Sequence, residues 1–185
     1  MKKCNLVLFA LCISTFYLSA QSSSWVNKEI GNGISVSFPD NPIYETSQSI
    51  SYYAAKSSNC AFMVLINQNL IPQNFYNELV RTESEWTEEA RKKVAYSFLD
   101  SFVNGKLNVS GSNTIISNVK MGQFYGKTVE YSDVIPSTGE VGKRFTIILA
   151  FLKYNKIISF ECWYMKNSTT SNEEKTKFFN SIYEK

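Results

Sequence analysis

Few residues in this chain have the chemistry for catalysis. There is no histidine anywhere in the 185 residues. That removes Ser–His and Cys–His nucleophile pairs, imidazole acid–base work and His-ligated metal sites. Beyond the first twenty residues the only thiols are Cys60 and Cys162. Neither has a CxxC partner or a base close by in sequence to activate it. Two readings stay open for them: a pair of core thiols, or one disulfide in an oxidising compartment. Spacing alone fixes no distance between them.

The acids are scattered. Asp40 sits in "FPDNP" (Phe38 to Pro42). A metal site there needs more oxygen ligands converging, and no Asp-rich loop surrounds it. Its residue types instead suit a turn in which the carboxylate bonds nearby backbone N–H groups. Glu130 and Asp133 are three apart on a strand pattern, so they point to opposite faces and do not form the flanking carboxylate pair of a glycosidase. Glu161 lies between Phe160 and Cys162. If it faces inward, burial raises its pKa and marks it as a site residue. Alternation groups it with Ser159 and Trp163, which predicts a more exposed face. Among many aromatics, Tyr52, Trp163 and Tyr164 have polar neighbours. With Glu161 they are the candidate ligand or partner surface. Most other aromatics belong to the core, where they bury large areas. No Gly-rich phosphate loop, nucleophile elbow or metal-ligand cluster is present, and the expectation is a noncatalytic protein without a cofactor.

These residues must be held by strands and helices that the pattern locates. Ile34, Val36 and Phe38 alternate with Ser35 and Ser37, the period of a half-buried strand that Pro39 ends. Ser49 to Lys56 and Cys60 to Gln68 read as an antiparallel hairpin around "SSN". "AFMVLI" is almost continuously apolar, as expected of a central strand covered on both faces. Ile71 to Asn104 is helical, with Pro72 in the first turn. Phe75, Leu79, Trp86, Ala90, Val94, Phe98 and Phe102 recur near every fourth residue. That run drifts around a 3.6-residue helix and predicts a break, with Thr82 and Glu85 at capping-box spacing for the restart. Gly105 is placed just past the helix end. Then come strands Ile115 to Met121, Phe124 to Ser132, Lys143 to Lys153 and Lys156 to Lys166, an antiparallel meander. Ser171 to Tyr183 closes the chain as a helix with acids in its first turn and an apolar stripe of Phe178, Phe179 and Ile182. Strands, a long helical insert, strands and a closing helix make an α+β fold: a largely antiparallel sheet with helices packed on it, sandwich-like.

The first twenty residues have the layout of a secretory signal peptide: Lys2 and Lys3, an apolar run from Leu6 to Leu18, then Ser19 and Ala20. The apolar run is shorter than the roughly 20 residues of a membrane span. Cleavage is expected after Ala20, and the junction resembles Bacteroidetes leaders. Leu11 before Cys12 is too large for lipoprotein processing, so Cys4 and Cys12 go with the leader. The expected product is one domain, residues 21–185, periplasmic or extracellular, without a stable membrane span. The leader holds two lysines and no acid, so 19 basic against 16 acidic residues become 17 against 16. That balance, with "RKK" (Arg91 to Lys93) on a helix face, gives no nucleic-acid patch. "NVS" at Asn108 and "NST" at Asn167 read as polar loops.

"GISVSFPDNP" followed by a hairpin and a long helix, then "FYGKTVEYSD", paired strands and "KFFNSI", resembles the PsbP-like fold family over most of the chain. That fold is shared by a photosystem II extrinsic protein, a Ran-binding nuclear import factor and a bacterial exported branch. The resemblance implies an antiparallel sheet between helical layers and noncatalytic protein binding. It carries no Ran-binding or manganese residue onto a numbered position here. The leading expectation is an exported domain that binds a protein partner. The second is a carrier of a small apolar ligand on an aromatic-lined sheet face.

Overall fold

The computed structural model describes residues 25–68, 71–107, 114–135 and 139–184, except the side chains at 73, 75, 80, 83, 106 and 107. The expected leader, the "NVS" sequon, most of "PSTG" and the Phe75 side chain lie outside the described residues. Seven strands form the main sheet: β3 (Ile43–Ser47), β4 (Ile50–Lys56), β5 (Cys60–Gln68), β6 (Ile115–Met121), β7 (Phe124–Val134), β8 (Val141–Phe151) and β9 (Lys156–Tyr164). Their spatial order is β3-β4-β5-β9-β8-β7-β6, and every pairing is antiparallel. A smaller sheet joins β1 (Val26–Gly31), β2 (Ile34–Phe38) and β10 (Tyr183–Glu184). The β1–β2 hairpin turns on Asn32 and Gly33, both at positive φ (55° and 76°). This is the Asn-Gly turn whose twist matches the flanking strands.

Strand β5 is central, as its apolar run requires, paired with β4 on one side and β9 on the other. Helices cover both faces. On one face lie α3 (Thr169–Asn180) and the small sheet, and Phe38, Phe62, Val64, Phe151, Phe160 and Phe178 form the larger core. On the other lies α2 (Glu88–Leu107), whose Ala95, Leu99 and Val103 pack on Val129, Tyr131, Ile148 and Ala150. The fold is therefore the α+β sandwich that the element order implies.

Several local readings are corrected. The helical insert does break, into α1 (Gln73–Thr82), a 3-10 turn (Glu83–Glu85) and α2. The restart is capped by Thr87, whose hydroxyl accepts the Ala90 N–H at 3.2 Å. Thr82 instead bonds back to the carbonyls of Glu78 and Leu79, finishing α1. The buried line of α2 is Ala95, Leu99 and Val103, while Val94, Phe98 and Phe102 flank it half-buried. A four-residue repeat slips around the helix, so the true core line falls one residue on. Gly105 lies within the last turn of α2, not beyond it. The closing helix starts at Thr169, capped by Ser168, which accepts the Ser171 N–H at 3.1 Å, and its first turn holds no acid. It stops at Asn180, because Tyr183 pairs with Ser35 of β2.

Candidate functional site

Asp40 is architectural. It is exposed between buried Pro39 and Pro42, and its carboxylate accepts the Asn41 N–H at 2.7 Å. Glu130 and Asp133 each hold a cation, Lys143 at 3.4 Å and Arg144 at 3.0 Å. They sit on opposite faces of β7, as alternation requires.

The candidate surface residues divide between the two faces. Tyr52, Glu161 and Trp163 share the α2 face with Ser159, Thr146, Arg144 and Tyr131, by the ladder register of β4, β5, β9, β8 and β7. Tyr164 points the other way into the α3 core, where its ring lies 4.9 Å from Phe145 and its hydroxyl bonds Asn172 at 3.3 Å. Burial, followed by the charges of Cys162 and Cys60, pushes the Tyr164 phenol up to about 12. Tyr52 is half-buried, and its hydroxyl donates to Glu45 on the adjacent edge strand.

Glu161 corrects the sequence expectation outright: it is 2 % exposed. Alternation correctly groups it with Ser159 and Trp163, but that face is roofed here. Its carboxylate accepts the Trp163 indole N–H at 3.2 Å. The Arg144 guanidinium lies 3.7 Å from the Trp163 ring centroid and 3.0 Å from Asp133. A row of polar contacts thus crosses three strands: Asp133, Arg144, Trp163 and Glu161. A guanidinium over an indole face, with a carboxylate on the indole N–H, is a favourable cation–π arrangement. Beside Glu161, the hydroxyls of Thr146 and Ser159 are buried without a hydrogen-bond partner, as is Nδ2 of Asn67 on the same face. Sequence reasoning missed Arg144 and Thr146. Register was the missing signal, since Arg144 stands opposite Trp163 and Thr146 opposite Glu161 only in the folded ladder.

The α2 face also carries an ion cluster at the start of α2. Glu88 accepts from Lys120 at 2.6 Å and from the Tyr125 hydroxyl. The Lys120 bond, then the Tyr125 bond, hold the Glu88 carboxyl below its ordinary range, and the Tyr125 phenol is raised by the same contact. At the far end of the sheet, Asn155 adopts the left-handed conformation (φ 51°). It clasps Ile71 by two 3.0 Å bonds, one to its N–H and one to its carbonyl. The void there, lined by Ile71, Phe98, Leu152 and Ile157 among others, measures about 10 Å³. That is room for roughly one water.

Cys60 and Cys162 are unbonded and fully buried on the α3 face. Cys60 donates to the Ser171 carbonyl at 3.5 Å. A hydrogen bond with Cys60, then burial, push the Cys162 thiol far up. Such a thiol is a poor nucleophile. Among the described residues, no three His, Cys, Asp or Glu side chains converge to hold a metal ion.

The edges of the sheet differ. Edge strand β3 carries Glu45, with Tyr44 stacked on Tyr53 at 4.7 Å. Edge strand β6 has no charge from Ile115 to Val119, and Ile115 and Ile116 are 63 % and 42 % exposed. Among the described residues nothing pairs with its outer side.

No family model matches the chain. No curated protein matches it either. Solved structures with a similar trace include the Ran-binding protein Mog1p of Saccharomyces cerevisiae, at 11 % identity and TM-score 0.42, covering 88 % of this chain and 96 % of that one. A Pseudomonas aeruginosa protein of unknown function overlaps at 9 % identity and TM-score 0.41, covering 83 % of this chain and 91 % of that one. At such identities and TM-scores the overlaps transfer neither a function nor a site residue to this chain.

Proposed function

We propose that this chain is an exported, noncatalytic domain of the PsbP-like kind that binds a protein partner in the envelope or outside the cell, through the open edge of β6. The observation that carries the reading is that edge. A seven-residue strand ends the sheet with no partner strand on its outer side among the described residues, no charge over the first five positions, and two exposed isoleucines. An uncharged apolar edge is the surface that natural sheets otherwise protect, and a partner strand satisfies it by adding to the ladder. The leader pattern of residues 1–20 supports export.

An apolar-ligand carrier is less well supported. The void beside Ile71 has room for about one water, and the face bearing Tyr52 and Trp163 is floored with a buried carboxylate and with hydroxyls that have no partner. An apolar ligand there leaves the Thr146 and Ser159 hydroxyls unsatisfied.

The test is affinity capture from envelope fractions with the wild-type chain and with an Ile115→Lys, Ile116→Lys variant. A protein held by the wild type and lost with the variant is expected. Equal recovery by both, or recovery of nothing specific, overturns the β6 edge as the docking surface. Fractionation of the tagged chain tests export separately: an unshortened cytosolic product overturns it.

A further inference from the structure

Two cysteines a hundred residues apart in sequence meet on one face of the sheet. In the β5–β9 ladder Phe62 stands opposite Cys162, and Cys60 stands opposite Tyr164. Cys60 and Cys162 are therefore diagonal neighbours with side chains on the same face, and each thiol is fully buried. The shared face and the diagonal register bring the two side chains into the same buried layer of neighbouring strands. We propose that Cys60 and Cys162 are a disulfide site, oxidised as the chain folds in an oxidising compartment.

The chemistry balances by thiol–disulfide exchange with a small or protein disulfide. One cysteine, as thiolate, attacks that disulfide and releases one donor thiol. The second, also as thiolate, attacks the mixed disulfide and displaces the other donor half, leaving the Cys60–Cys162 bond; the two protons given up by the cysteines end on the two displaced donor sulfurs. The donor is reduced by two electrons and the pair oxidised by two. The folded protein resists this reaction, because α3 and the Phe62, Tyr164 and Phe178 side chains seal both sulfurs from solvent. Exchange therefore belongs to the stage before α3 closes on the sheet, which makes the redox state a record of where the chain folded.

Diagonal Cα atoms in a regular ladder stand about 7–8 Å apart, whereas disulfides span about 4.4–6.8 Å. Closing the bond therefore asks the two strands to approach one another locally. Because the cross-link closes a loop of about 100 residues, it restricts the unfolded chain strongly.

The experiment uses the full chain with Cys4→Ser and Cys12→Ser, so that two thiols remain. It is refolded from denaturant in an oxidised/reduced glutathione mixture, then denatured and alkylated with iodoacetamide. The expected product is lighter than the reduced chain by two hydrogens and takes no alkyl group. A reductant-sensitive peptide should join Cys60 to Cys162. The melting temperature should fall by on the order of 10 °C on adding reductant, while a further Cys162→Ala variant shows no such dependence. Two alkyl groups on the refolded monomer, or linkage only between chains, overturns the proposal. Glutathione stands in for the compartment, so the result is independent of whether the chain is exported.

Discussion

Phe62, Leu149, Phe160 and Cys162 line the α3 face of the sheet, and the rings of Phe178, Phe38 and Phe62 pack with centroids 5.0–5.7 Å apart. One residue along the same strands, the α2 face buries Ser159, Glu161 and Thr146. The α3 face gains from burial at about 25 cal/mol per Å² of apolar area with little polar cost. The α2 face gives part of that gain back, since each buried polar group without a partner costs about 1–3 kcal/mol. The comparison teaches that stability is concentrated on one side of this sheet. The other side has kept polar groups that packing alone does not call for.

The largest expected effect breaks the stronger face. Phe178→Ala empties a site enclosed by Phe38, Phe62 and Phe179 and should cost about 3–5 kcal/mol, against about 2–3 for Leu99→Ala on the α2 face. Urea unfolding of both variants measures this, and an equal or reversed ranking removes the asymmetry. Next is alkaline pH under reducing conditions. The Cys162 thiol is raised in the folded state from its ordinary 9.0. A raised pKa gives stability that is complete below the unfolded value and is lost as pH rises beyond it. The slope is about 1.4 kcal/mol per pH unit per group. Stability should therefore decline from about pH 9 upward, and Cys162→Ala should flatten the decline. An identical profile in that variant would place the titration elsewhere. The smallest effect is on the α2 face. Thr146→Val and Ser159→Ala remove unpartnered hydroxyls and should each stabilise by about 1 kcal/mol. Destabilisation by either, seen as an earlier urea midpoint, would mean that the hydroxyl is satisfied.

Strand and hairpin positions were legible because they are local. The alternation of Ile34, Val36 and Phe38, the "SSN" turn and the apolar run after Cys60 each report on residues next to one another. Helix boundaries were less legible. Thr82 and Thr87 both offer a capping hydroxyl. The direction of the chain at each threonine decides whether that hydroxyl ends one helix or starts the next, and spacing does not record it. The candidate site was half legible. Trp163 and Tyr164 are adjacent and look alike in sequence, yet the ladder sends them to opposite faces, one beside Arg144 and one into the thiol core. Tyr183 read as a helix end because its strand partner, Ser35, lies almost the whole chain away.

By itself the sequence determined the absence of imidazole chemistry, the period of each strand, the break in the helical insert and the α+β order. Those are properties of composition and of neighbours a few residues apart. Only the tertiary structure decided that Glu161 is buried, that Arg144 stacks on Trp163, that Cys60 and Cys162 share one buried face, and that β6 is an edge strand of the main sheet. Each of these depends on which strand lies beside which, and on which face a helix covers. That is settled by burying the most apolar surface over the whole chain, and no single segment records it.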